Sequence, residues 1–187
     1  MRLKKVNAVL ALLSTLALCM HMSYNAFAYA VTYYNPILKA FATTPLILCV
    51  IGHGICGMCS VFLLGDGTRL DIYQGPNRRT IVQRVSAALI FPVLIMHLRT
   101  FELLSELATE GAWVPFALVV LLQVAFFAVV SAHAATSFSK ALITLGLLAN
   151  LETQKRLDKV VYTLFTIAFV VATFAVIRGE LVLFLPN

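Results

Sequence analysis

The sequence lacks any polar stretch long enough to form a separate soluble domain. Only 12% of its 187 residues are Asp, Glu, Lys or Arg, 61% are hydrophobic, and the mean hydropathy is +0.94. Soluble domains contain about 45–50% apolar residues, whereas a membrane-spanning helix needs about 20 apolar residues in succession. Such runs occur at about 6–30, 36–64, 81–101, 113–138 and 158–178. We therefore predict one all-α integral membrane domain over residues 1–187, a bundle of five transmembrane helices.

Cysteine is scarce, and none of it falls in a predicted loop. The four cysteines lie inside apolar runs, so they indicate no disulfide framework. Cys56-x-x-Cys59 lacks the second pair of a zinc site. It also lacks the histidine of a c-type haem attachment site, because Ser60 follows. Small, inert interior residues are the better interpretation.

The second apolar run contains a glycine pattern, Gly52-x-Gly54-x-x-Gly57, that matches a dinucleotide-binding fingerprint. That fingerprint requires a strand, a tight turn and a helix whose N-terminus faces the phosphates. These glycines instead lie in the middle of a continuous apolar segment, which excludes the nucleotide interpretation. In a membrane helix, glycines let a second helix approach closely, and they also leave room for a flat macrocycle.

The 14 basic residues outnumber the 8 acidic ones, and their placement predicts an orientation. With the N-terminus in the cytoplasm, only Lys39, Arg99 and Arg178 lie outside, in agreement with the positive-inside rule. The C-terminal segment "RGELVLFLPN" then lies on the outer side. The basic residues on the inner side are Arg2, Lys4, Lys5, Arg69, Arg78, Arg79, Arg84, Lys140, Lys155, Arg156 and Lys159.

The first apolar run has the basic start, apolar middle and Ala-x-Ala ending of a secretory signal. A cleaved signal peptide is therefore an alternative for this segment. We interpret it as the first transmembrane helix.

The sequence contains four histidines, and each lies in a different apolar run: His21, His53, His97 and His133. An ionisable side chain within a bilayer is costly and is a candidate for function, although a single one commonly serves only as an interhelical hydrogen-bonding group. At about 1.5 Å of rise per residue, His21 and His97 lie roughly 20–22 Å from the cytoplasmic boundary, and His53 and His133 roughly 10–17 Å.

Two stacked histidine pairs are what two b-type haems require, because haem iron takes axial imidazole ligands and the ring prefers a bundle interior. Zinc fits less well, because no carboxylate or thiolate cluster lies at these depths.

The segments around the histidines resemble those of a known family, the five-helix dihaem cytochrome b anchors (type B) of succinate:menaquinone and quinol:fumarate reductases. The matching segments are "CMHMSYN", "HGICGM", "VQRVSAALIFPVLIMH" and "HAATSFSKALITLGL". The resemblance implies that His53 and His133 hold a proximal haem b near the cytoplasm and that His21 and His97 hold a distal one. It further implies menaquinone as the electron partner, and a flavoprotein subunit with FAD and an iron–sulfur subunit on the cytoplasmic side of the cell (inner) membrane.

The sequence departs from the family at several positions. Ala87 and Ser137 stand where glycines are usual, and no acidic residue lies between His21 and His53 or beside His133. Proton handling therefore cannot be transferred from the family to this chain.

On the cytoplasmic side, four polar residues are predicted to bind haem propionates, which need charge-assisted donors. They are Arg84, Ser86, Ser137 and Lys140. Arg84 and Lys140 are equally well explained as positive-inside anchors.

At the outer ends, Asn25 and Arg99 are predicted to hydrogen-bond a quinone, with Glu102 as the protonatable group of catalysis. The alternative is that "FELLSELATE" is a solvated helix end. The segment Leu147–Lys159 reads as an amphipathic connection, where a soluble subunit docks or which rests at the lipid interface.

These observations predict the membrane anchor and electron-transfer subunit of a succinate dehydrogenase or fumarate reductase complex. Two alternatives remain open at this point. The first is the dihaem anchor of another respiratory dehydrogenase, such as a hydrogenase or formate dehydrogenase, and the second is a membrane scaffold or transporter without cofactors.

Overall fold

The computed structural model of the chain describes residues 2–62 and 78–185, and within these ranges it is entirely helical. Each helix is long and apolar enough to span a membrane. The shortest has 27 residues, or about 40 Å against a hydrocarbon core of about 30 Å. The helices are α1 (Arg2–Val31), α2 (Pro36–Phe62), α3 (Arg78–Thr109), α4 (Trp113–Leu145) and α5 (Leu151–Phe184). The predicted all-α, multi-pass fold is confirmed, while its orientation and its membrane remain predictions.

Most helices extend beyond the apolar runs that predict them. The largest differences are in α3, which continues to Thr109, and in α5, which begins at Leu151 and ends at Phe184. The hydropathy pattern marks only the part of a helix that matches the lipid core, whereas the backbone ladder continues into polar sequence. The predicted end of the second helix at 64 lies outside the described residues.

The connection between α4 and α5 is shorter than the predicted segment Leu147–Lys159. Gly146 has a left-handed backbone (φ 78°), and its N–H donates to the Ile143 carbonyl at 3.0 Å, which ends α4. The Asn150 side chain accepts hydrogen bonds from the Glu152 and Thr153 amides at 2.8 and 3.3 Å and begins α5. Residues 151–159 therefore form the first turns of α5.

The helices form an open arrangement around three central members. α1, α4 and α5 pack against one another, α2 packs against α1, and α3 packs mainly against α4. Part of the core joins α4 to α5, with Ala134, Ala135, Val161 and Phe165 buried together. Within the described ranges, the backbone of α2 does not come within 8 Å of α3 or α4, nor that of α1 within 8 Å of α3. The diagonal pairs α1/α3 and α2/α4 are therefore held apart.

One end of the bundle, here called the basic end, contains the starts of α1, α3 and α5 and the ends of α2 and α4. The predicted inner-side basic residues of the described helices lie towards this end; Arg69 and the side chain of Arg78 lie outside what the structure describes. The other end is called the far end. It includes Lys39, Arg99 and Arg178, so the charge asymmetry of the sequence becomes an asymmetry of the bundle.

A partly buried ion pair joins three helices at the basic end. Arg79 of α3 donates to both carboxylate oxygens of Asp158 of α5, at 2.6 and 3.0 Å, and to the Thr136 carbonyl of α4 at 2.9 Å. Ser139 of α4 also donates to Asp158. The two charged side chains are only 14% and 15% exposed, so this cluster fixes the relative positions of α3, α4 and α5.

Candidate functional site: two facing histidine pairs

The histidines form two facing pairs. The rings of His53 and His133 have centroids 6.2 Å apart with an interplanar angle of 55°. Those of His21 and His97 are 6.5 Å apart at 79°. We call His53 and His133 the basic-end pair and His21 and His97 the far pair. The depth estimates from the sequence predicted the same two pairs.

Both separations fit two imidazoles bound on opposite sides of one metal ion. With metal–nitrogen bonds of about 2 Å and about 1.1 Å from nitrogen to ring centre, the centroids lie about 6 Å apart. Rotation of each ring about the bonding axis is free in this arrangement, so interplanar angles of 55° and 79° are both compatible with it. Each pair therefore has the spacing of a bis-histidine site.

Each pair spans a gap between helices whose backbones do not meet in the described ranges. His53 of α2 faces His133 of α4, and His21 of α1 faces His97 of α3. Each ring also contacts a neighbouring helix, as His53 does at Asn7 of α1. The facing pairs, however, join the diagonal helices of a four-helix arrangement, where cofactor sites of helix bundles are built.

The two pairs are stacked along the bundle axis. His21 lies level with Thr43 of α2, since its Nδ1 is 3.2 Å from the Thr43 hydroxyl. Thr43 and His53 are ten residues apart on α2, or about 15 Å. The far pair therefore lies roughly halfway across a bilayer from the basic-end pair.

Main-chain carbonyls orient the basic-end pair. The Nδ1–H of His53 donates to the Asn7 carbonyl of α1 at 3.4 Å, and that of His133 donates to the Gln83 carbonyl of α3 at 3.1 Å. The Ser86 hydroxyl lies 3.3 Å from the same His133 nitrogen and donates to the Val82 carbonyl at 2.6 Å. In the described part of the chain, neither Nε2 has a hydrogen bond. Metal-binding histidines are typically held in this way, with Nδ1–H on a carbonyl and Nε2 free.

The far pair is oriented differently. His21 Nδ1–H donates to the Thr43 hydroxyl, while His21 Nε2 accepts from the Asn25 amide at 3.1 Å. The His97 ring stacks on Phe126 of α4, with centroids 4.5 Å apart. Its Nδ1 is buried without a hydrogen-bond partner among the described residues. A metal at this pair would have to displace the Asn25 amide from His21.

The three glycines beside His53 differ in the space around their Cα atoms. A Cβ on Gly52 would lie 3.3 Å from Leu10 Cδ1, so Gly52 permits the close approach of α1 and α2. A Cβ on Gly54 or Gly57 would meet nothing within 4 Å. Gly57 follows His53 by one helical turn and lies on the same face, so it leaves open space beside the basic-end pair.

The residues predicted to bind propionates lie near the basic-end pair, with different surroundings. Ser137, one turn from His133, is buried, and its hydroxyl oxygen has no partner in the described part. Lys140 donates to the Thr80 hydroxyl at 2.9 Å and to the Gln83 side-chain carbonyl at 2.6 Å. Arg84 is exposed. Their role as propionate ligands remains a prediction.

The residues predicted for a quinone site are spread over the far end. Asn25 Nδ2 donates to the His21 carbonyl at 2.8 Å as well as to His21 Nε2. Arg99 and Glu102 form an ion pair at 2.8 Å with side chains 59% and 58% exposed. The structure thus brings Asn25 to the far pair and leaves Arg99 and Glu102 on the surface.

One charged residue that the sequence interpretation left in the outer C-terminal segment is buried. Glu180 lies in α5 and is 1% exposed. The sequence signal for it was the helical spacing that continues past Arg178, because Leu181 and Phe184 are again apolar. Arg178 and Glu180 masked that signal, because two charged residues lower the local hydropathy.

The described residues contain no group of three or more His, Cys, Asp or Glu side chains placed to hold one metal ion. A structural zinc site with four protein ligands therefore has no candidate there. Pairs of histidines suit a metal whose remaining ligands come from a macrocycle. No protein-family model, no curated protein and no solved structure matches this chain.

Proposed function

We propose that this chain is a dihaem membrane electron carrier, with His53 and His133 holding one haem b and His21 and His97 the other. The observation that carries the proposal is the presence of two facing histidine pairs at metal-bridging separation, each across a gap between diagonal helices. Open space at Gly57 and an unpartnered Ser137 hydroxyl beside the basic-end pair are also compatible with a macrocycle and its polar substituents.

We further propose that the complex is a succinate dehydrogenase or fumarate reductase and that this chain is its membrane anchor. This finer proposal is supported by the resemblance of the histidine segments to the dihaem cytochrome b anchors of that family. In the proposed complex, a flavoprotein subunit with FAD and an iron–sulfur subunit dock at the basic end, and menaquinone reacts at the far end.

Bound haem would supply an iron that carries one electron at a time between its two oxidation states. The residues of this chain would hold the haem and set the charge around it. The Asn7 and Gln83 carbonyls fix the tautomers of His53 and His133, so that both Nε2 atoms carry a lone pair that can bind a metal. Lys140 supplies a positive charge one to two turns from His133, which favours an anionic propionate at that level.

Haem content tests the proposal directly. The chain is expressed with its neighbouring subunits, and haem per polypeptide is measured by the pyridine haemochrome method. We expect two haems b per chain, with unchanged content in Met58→Ala, which alters an exposed side chain of α2 five residues from His53. A value of zero or one would contradict the dihaem proposal.

The nature of the complex is tested by its partners. We expect a flavin-containing subunit and an iron–sulfur subunit to purify with this chain, with succinate-dependent reduction of its haems. Two haems without such partners would support an electron carrier of another dehydrogenase. If neither subunit purifies with the chain, the succinate or fumarate assignment is wrong, and the dihaem proposal still stands.

A further inference from the structure

The most buried acid of the described chain lies in the far half of the bundle. Glu180 of α5 is 1% exposed, and neither of its carboxyl oxygens has a hydrogen-bond partner in the described residues. A carboxylate buried without a partner is strongly disfavoured, because the charge loses its hydration and gains no compensating interaction. Such a group within a membrane helix is a candidate for function.

Glu180 lies among polar side chains of two other helices. Gln123 of α4 lies beside the carboxyl group and is 6% exposed, and its side-chain oxygen is without a partner in the described residues. The Tyr29 side chain of α1 packs against Gly179, where a Cβ would overlap it, so Gly179 permits this close approach. Among the described residues, the two carboxyl oxygens of Glu180 and the side-chain oxygen of Gln123 are therefore all buried without a hydrogen bond.

A hydrogen atom on Glu180 would complete this cluster. A protonated carboxyl group has an O–H that can donate to the Gln123 oxygen, which removes both the unpaired charge and two of the unpartnered atoms. The nearest basic residue in sequence, Arg178, is exposed and donates to the Ala30 carbonyl at 2.6 Å. It thus caps the end of α1.

The cluster lies next to the far pair. Gln123 precedes Phe126 by three residues on α4, about 5 Å along the axis, and Phe126 stacks on His97. On α1, His21, Asn25 and Tyr29 follow one another at four-residue spacing on one face. Two helices therefore run from the far pair to the Glu180 cluster within one to two turns.

We propose that Glu180 holds a proton against Gln123 and exchanges it with a quinone bound between the cluster and the far pair. The quinone half of this proposal rests on the proposed function, whereas the proton on Glu180 does not. Reduction of one quinone takes two electrons, which the haem held by the far pair would supply one at a time, and two protons, which form the two O–H bonds of the quinol. Glu180 gives up each proton by breaking its own O–H bond and regains it from the aqueous phase at the far end. Quinol oxidation runs through the same steps in reverse.

Infrared spectroscopy of the purified complex tests the proton on Glu180. We expect a C=O stretching band of a buried carboxylic acid that shifts slowly in D₂O. The band should persist in Glu102→Gln, which changes an exposed acid, and disappear in Glu180→Gln. Gln123→Leu should move the band to higher frequency, because the acid loses its hydrogen-bond partner. A spectrum unchanged by Glu180→Gln, or a band unmoved by Gln123→Leu, would overturn the assignment.

Quinone turnover tests the exchange. Removal of a general acid or base typically costs about 10²- to 10⁴-fold in rate, so we expect Glu180→Gln to slow quinone reduction at least 10-fold with both haem spectra intact. Glu180→Asp should restore part of the rate, and Glu110→Gln, which changes an exposed acid without a proposed role, should leave it unchanged. Normal turnover in Glu180→Gln, or a comparable loss in Glu110→Gln alone, would overturn the role of Glu180. Loss of haem binding or of quinone activity in the unaltered complex would instead contradict the proposed function, and the infrared band would still decide the protonation.

Discussion

The basic-end pair and the far pair have nearly the same ring separation, yet the chain holds them in different ways. The basic-end pair is oriented by main-chain carbonyls of helices α1 and α3. The far pair is oriented by the side chains of Thr43, Asn25 and Phe126. A carbonyl within a helix cannot rotate away, whereas an amide side chain can. The rings of the basic-end pair are therefore held more firmly than those of the far pair.

The two ends of the bundle also differ in how firmly their charged residues are held. The ion pair of the basic end, Arg79 with Asp158, is largely buried and joins three helices. The ion pair of the far end, Arg99 with Glu102, is exposed and lies within one helix. The basic end is therefore tied together across helices, whereas the Arg99–Glu102 pair joins no second helix.

The largest expected effect is the loss of a whole haem. His53→Ala and His133→Ala should each remove the same spectral component, and His21→Ala and His97→Ala the other, because a bis-histidine site needs both ligands. Low-temperature difference spectra and the haem-to-protein ratio measure this. If His53→Ala and His133→Ala remove different components, the pairing is wrong.

The next effect concerns the stability of the two ends. Asp158→Asn leaves the Arg79 charge without its carboxylate and replaces one acceptor oxygen of the cluster by an amide NH₂, so we expect a loss of about 2–3 kcal/mol in the free energy of unfolding. Glu102→Gln should change it by no more than about 0.5 kcal/mol, since the Arg99 pair is exposed. Denaturant unfolding of the two variants in the same detergent compares them. Equal losses would show that burial does not distinguish the two ends.

Much of the candidate site could be predicted from the sequence, because the position of a residue along a membrane helix gives its depth in the membrane. Four histidines in four apolar runs give a depth for each ring, and depth alone selects the pairs that the structure brings to 6.2 and 6.5 Å. This works because a membrane helix has a fixed rise per residue and a fixed crossing length.

The contacts between helices were not accessible in that way. The Arg79–Asp158 pair joins residues 79 positions apart, and hydropathy does not state which faces of α3 and α5 meet. Glu180 was placed outside the last helix because Arg178 and Glu180 itself end the apolar run, although α5 continues to Phe184. The side of a helix that a polar residue occupies decides whether it is solvated or buried, and here only packing fixed that side.

A smaller effect is expected from filling the space beside the basic-end pair. Gly57→Leu meets no protein atom at its Cβ, so the apoprotein should unfold at the same temperature, while haem affinity of the basic-end pair falls about tenfold (~1.4 kcal/mol) or more, a typical cost of overpacking. Gly52→Leu should destabilise the apoprotein itself, since its side chain meets Leu10. Haem titration and thermal unfolding separate these outcomes. Unaltered haem binding in Gly57→Leu would mean that no macrocycle uses this space.

The smallest effect should come from the amide that occupies His21. Asn25→Ala removes a hydrogen bond that a metal must displace, and such bonds contribute about 0.5–1.5 kcal/mol. We therefore expect the far pair to bind haem about 2- to 10-fold more tightly, measured by titration of apoprotein in a His133→Ala background where only the far pair can load. Thr43→Val should act in the opposite direction, because the bond at Nδ1 orients the ring and makes Nε2 a better ligand. Weaker binding in Asn25→Ala would show that the amide supports the bound haem rather than opposing it.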